Sequence, residues 1–124
     1  MPRSKKSADA HVNGQMTLVR LDARKLIDSE TFHVHLAEVF GFPPFYGKNL
    51  NALIDCLSDL DEPATLMTRI HVGRGNVLTV VIDGVEDLEE SERVKLLPFL
   101  DAIAFVNARR IDAGDPPILA VAYP

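Results

Sequence analysis

Tryptophan is absent and cysteine occurs once, at Cys56, in a chain of 124 residues. A single thiol excludes an intramolecular disulfide, so a hydrophobic core rather than cross-links has to hold the fold, and the chain suits a reducing compartment. No run approaches the roughly 18 consecutive apolar residues that a membrane span needs. No Ser-His-Asp set or carboxylate pair with catalytic spacing is recognisable. His33 and His35 stand two apart on a helical stretch, where their rings point about 200° away from each other and cannot chelate one ion. Gly73-Arg74-Gly75 precedes an apolar run with strand character instead of opening a helix, so it lacks the mechanism of a phosphate loop. The chain therefore reads as non-enzymatic, with no cofactor, no metal and no membrane contact. A basic excess is missing as well: 13 Lys and Arg stand against 18 Asp and Glu, a net charge of -5. That balance opposes direct nucleic-acid binding and favours a cationic partner.

What remains is ordinary globular material, 47% hydrophobic and 25% charged, of a length that fits one compact domain. Residues 1–15 carry Arg3, Lys5 and Lys6 but no apolar stretch of signal-peptide type, and are expected to be a disordered leader. Residues 16–124 are then the domain, in a monomer of the cytoplasm.

Met16 to Leu21 has strand character. Ser29 offers an N-cap to a helix in which Phe32, Leu36, Val39 and Phe40 form one stripe, stopped by Gly41 and Pro43-Pro44. A second helix carries Leu50, Leu53, Ile54, Leu57 and Leu60 on one face, with Asn51, Asp55, Ser58 and Asp59 on the other. Cys56, beside that stripe, reads as a small buried hydrophobe. Leu66 to Val72 alternates and, with the turn Gly73 to Asn76, predicts a hairpin arm laid antiparallel on Val77 to Ile82. The latter run is so continuously apolar that it reads as a central strand covered on both faces. Asp87 and Glu90 have capping-box spacing for a short helix. Pro98 opens a longer one through Phe99, Ile103 and Val106, and Ile118 to Tyr123 is a final strand. Strands separated by helical stretches imply an α/β fold with a small, mainly parallel sheet.

The segment Gly41 to Leu60 contains Pro43, Phe45-Tyr46-Gly47, Asn49-Leu50, Ala52-Leu53 and Asp55-Cys56-Leu57. It resembles the central motif of the barstar family, roughly Leu-Pro-x-Tyr-Tyr-Gly-x-Asn-x-Asp-Ala-Leu-x-Asp-x-Leu, over about twenty contiguous positions. The resemblance implies a three-layer α/β fold, three parallel strands packed by helices, here with the added hairpin strand. It also implies inhibition of a small basic ribonuclease by an acidic helix and the loop before it. Asp55 would then stand in for a phosphate and recruit arginines. Phe45 and Tyr46 would fill the cleft, Gly47 would shape the loop through a positive φ, Asn49 would cap the helix, and Asn51 and Asp59 would complete the contact.

Three family preferences are altered. The loop aromatic matching Phe45 is usually tyrosine, an acidic residue is here Asn51, and a frequent tryptophan is here Ile54. The last helix ends on Arg109-Arg110 where the prototype offers a carboxylate, and the stretch from Leu66 to Asn76, with Arg69, His71 and Arg74, is an insertion. A second reading stays open on those residues: a barstar-fold interaction module that binds a non-nuclease protein through its basic insertion and Arg109-Arg110.

Overall fold

The computed structural model describes residues 10–12 and 15–124. Its sheet has the order β1 (Ala10–Val12), β2 (Gln15–Asp22), β3 (Leu78–Asp83), β4 (Leu119–Ala122). β2, β3 and β4 run parallel, with Val19 opposite Val80 and Val80 opposite Val121. These are the three parallel strands expected, each within a residue or two of its predicted bounds. The added antiparallel strand is β1 on the outer edge of β2, rather than Leu66 to Val72 on β3. Ala10–Val12 and Gln15 thus extend the sheet into the stretch expected to be a disordered leader; the rest of that expectation lies outside the described residues.

Strand geometry sends alternate side chains to opposite faces. Val19, Leu21, Leu78, Val80, Ile82 and Leu119 are buried and join one core with the helices. The register partners on the other face include Arg20, Asp22, Thr79 and Ala120, of which only Thr79 is partly covered. Arg20 donates to Asp83 there at 2.7 Å. The helices and the parallel sheet together make the α/β fold expected. Val81, buried on the outer face, sits between Arg20 and Ala122 in register, which is why the strand reads as continuously apolar without helices on both sides.

Between β2 and β3 lie α1 (Ala23–Leu26), α2 (Phe32–Phe40) and α3 (Leu50–Ser58); between β3 and β4 lie α4 (Glu90–Arg93) and α5 (Leu97–Asp112). Of the expected stripe, Leu53, Leu57 and Leu60 are fully buried, Ile54 is half-buried and Leu50, at the first turn of α3, is 43% exposed. α2 ends at Gly41, whose φ of 71° and ψ of 49° close its last turn in the left-handed conformation that costs glycine least. Two caps differ from expectation. Thr31, not Ser29, stands before α2, its hydroxyl given to Lys25 O, and the capping box is Glu89 with Glu92 rather than Asp87 with Glu90.

Residues 66–72 are loop, for an identifiable reason. Leu66 has φ 61°, which interrupts an extended chain, and the backbone donors that a strand would use are spent on helix ends. Arg69 N–H donates to Phe40 O at the close of α2, and Val72 N–H donates to Leu60 O beyond α3. The alternation registers burial of Thr68 and Val72 against those helix ends, not a pleat. Among the described residues no helix is long and apolar enough to cross a membrane.

Candidate functional site

The loop between α2 and α3 starts on a turn in which Tyr46 N–H donates to Pro43 O at 2.9 Å. This turn directs two adjacent aromatics differently. Phe45 projects into solvent, 75% exposed. Tyr46 folds back, its ring 4.7 Å from that of Phe42, its hydroxyl 2.6 Å from His33 Nδ1. Burial lifts the Tyr46 hydroxyl well above the usual phenol range, so it keeps its proton beside the imidazole. His33, on α2, is held below the ordinary histidine value chiefly by burial and secondarily by Lys48, which favours the neutral ring.

Positive φ falls on Lys48, at 53°, and not on Gly47, which corrects the expected role of that glycine. What Gly47 provides is room: a Cβ there would stand 3.2 Å from Asn49 Nδ2, the amide that donates to Gly47 O. Asn49 caps α3 as expected, its Oδ1 accepting from Ala52 N–H at 2.8 Å.

On α3, Asn51 and Asp55 face solvent, while Ser58 and Asp59 are half-buried. The Asp55 side chain is 61% exposed and accepts from Arg109 Nη1 of α5 at 3.4 Å. Beside it, Leu50, Ile54, Pro98, Asp101, Ala102 and Phe105 line an open apolar groove of about 350 Å³ between the two helices. Cys56 points the other way, into the core. Burial, then the charges of Asp55 and Asp59, push its thiol up to about 11, so it has little thiolate character at neutral pH.

Arg110 is not part of any surface. It is buried and grips Asp61 with two hydrogen bonds, Nη1 to Oδ1 at 3.2 Å and Nη2 to Oδ2 at 2.8 Å, and adds bonds to Ser58 O and Pro116 O. The Arg109-Arg110 pair read as one basic face is therefore one surface residue and one structural residue. Neither carboxylate partner was legible, because both pairs join α5 to the α3 region, across 54 and 49 residues. Amphipathic patterning says that two helices pack, but not which of their margins meet.

The described residues thus bring together a carboxylate on a rigid helix, an exposed aromatic at the helix entrance and an apolar groove alongside. The sequence profile of the family described as "Barstar (barnase inhibitor)" matches residues 16–119, and the chain belongs to that family. It is also 31% identical, over 88 residues, to a protein of Bacillus subtilis (strain 168) named "Putative ribonuclease inhibitor YrdF", an alignment covering 64% of this chain and 97% of that protein.

Proposed function

We propose that this protein binds a small basic ribonuclease in the cytoplasm and blocks its active site, as an antitoxin or immunity protein does. The observation that carries the reading is Asp55: an exposed carboxylate held on the outer face of α3, whose opposite face is locked into the core by Leu53 and Leu57. A ribonuclease must bind a phosphodiester, so its cleft is cationic, and a fixed carboxylate takes the phosphate's place against arginine forks. Phe45 supplies apolar area at the rim of that contact. Tyr46, Gly47 and Asn49 hold the loop, and Asn51 and Asp59 extend the polar surface along the helix. The family and the YrdF match favour such a partner over a non-nuclease one. The rival reading through a basic face has lost Arg110 to its buried bond with Asp61.

Barnase is the natural first probe. Asp55→Ala should weaken inhibition by about 2 to 5 kcal/mol, some 30-fold or more, because it leaves the nuclease's cations buried and unpaired. Folding should barely change, since exposed ion pairs contribute about 0.2 to 1 kcal/mol. Phe45→Ala should likewise cost affinity without costing stability. Wild-type protein that leaves barnase fully active at micromolar excess, or an Asp55→Ala variant as potent as wild type, would defeat the proposal.

A further inference from the structure

We infer that Arg109 is a second recognition residue of this surface, one that reads a carboxylate in the ribonuclease's cleft and so selects nucleases whose general base is Glu or Asp. The inference rests on the inhibitor reading above. In the free protein Arg109 touches Asp55 end-on, through Nη1 alone, and half of its side chain lies in solvent. Of the five N–H donors of a guanidinium, one is therefore engaged among the described residues. Exposed pairs of this kind shift an equilibrium by less than about fivefold, so little holds Arg109 to Asp55 when a better partner arrives. Its neighbour Arg110, with every bond made to its own chain, shows what a purely structural arginine looks like in the same turn.

At 3.4 Å from Asp55, Arg109 cannot escape a cleft that covers Asp55. Against a uniformly cationic cleft its charge would be buried beside like charges, a costly arrangement that works against wrong partners. The complement of the Asp55-Arg109 pair is a mixed one, arginines for the first and a carboxylate for the second. Ribonuclease chemistry provides that mixture. Attack by the 2′-hydroxyl on the phosphorus needs a base within hydrogen-bond reach, next to the cations that bind the phosphate, and the base is commonly an imidazole or a carboxylate. A carboxylate accepts Arg109 in the fork geometry that guanidinium favours, whereas an imidazole, when protonated, repels it.

The test is a set of double-mutant cycles between this protein (wild type, Arg109→Ala, Asp55→Ala) and barnase in which each cleft carboxylate is exchanged in turn for its amide. The expected result is a loss of tenfold or more in affinity for Arg109→Ala that vanishes against one barnase amide variant, while the Asp55→Ala deficit persists against that same variant. Arg109→Ala binding as tightly as wild type overturns the inference, with inhibition by wild type leaving the parent reading intact. An equal loss against every barnase variant also overturns it, since Arg109 would then only orient Asp55. Failure of wild type and Arg109→Ala alike to bind barnase removes the inhibitor reading, and the inference with it.

Discussion

Tyr46 and Phe45 are adjacent, chemically similar and differently employed. One is half-buried against Phe42 with its hydroxyl on His33, and the other is 75% exposed. A ring that packs on its own chain stiffens the loop, and a ring that faces solvent is available to a partner. The order of the two is set by the turn closing from Tyr46 N–H to Pro43 O, which places the second aromatic over Phe42. Tyr46→Phe should therefore cost about 0.5 to 1.5 kcal/mol in urea unfolding, by leaving His33 Nδ1 without its hydrogen-bond partner. Faster amide exchange should be confined to residues 45–48. Unchanged exchange in that segment, at unchanged stability, would mean that the hydrogen bond does not hold the loop.

The helices divide the same way, into parts that a single segment specifies and parts that only packing decides. α3 was legible because its apolar stripe, its Asn49 cap and its family motif coincide, and Leu53 and Leu57 are fully buried as the stripe demands. β2, β3 and β4 were legible as short apolar runs between turns. The loop at 66–72 differs from the expected strand because burial at Thr68 and Val72 imitates strand alternation, while the left-handed Leu66 and the backbone bonds from Arg69 to Phe40 O and from Val72 to Leu60 O are not visible in the local pattern. Of the candidate site, Asp55, Phe45 and Asn49 could be placed from the α3 periodicity and the motif, but the pairing of Asp55 with Arg109 could not. Arg110 supplies the sharpest prediction at this scale. It and Asp61 are 10% and 3% exposed in their side chains and tie the end of α5 to the segment after α3. Removing one partner of such a pair strands the other charge, so Arg110→Ala should destabilise by about 3 to 5 kcal/mol. Arg109→Ala, one residue away, should cost less than about 1 kcal/mol. Comparable urea midpoints for the two variants would contradict this division between core and surface.

For the molecule as a whole, α2 links the sheet to the loop before α3, through His35 to Asp22 and His33 to Tyr46, and this makes stability sensitive to mildly acidic pH. His35 is buried and its Nε2 accepts from Asp22 N–H at the end of β2 at 3.0 Å; His33 Nδ1 is hydrogen-bonded with the Tyr46 hydroxyl at 2.6 Å. The bond to Asp22 N–H needs a neutral His35 ring, burial disfavours a charge on either ring, and both histidines lie below the ordinary value of 6.5. Burial is the main cause in each, reinforced by Lys48 at His33 and by Lys25 at His35, where Asp22 and Glu38 pull weakly the other way. A group whose pKa is lower in the folded state binds fewer protons there than in the unfolded chain, so stability rises with pH across the interval between the two values. The contribution of these rings is complete above the unfolded value and drains away as pH falls from 6.5 toward the folded values. The urea midpoint should therefore drop between about pH 7.5 and pH 5.5, ahead of the acid range in which carboxylates titrate. The double variant His33→Phe, His35→Gln should flatten the slope, because Gln still offers an acceptor to Asp22 N–H and neither replacement titrates. A wild-type midpoint that holds constant over that interval, or a slope that survives in the double variant, would show that α2 is not the pH-sensitive seam between the sheet and the loop.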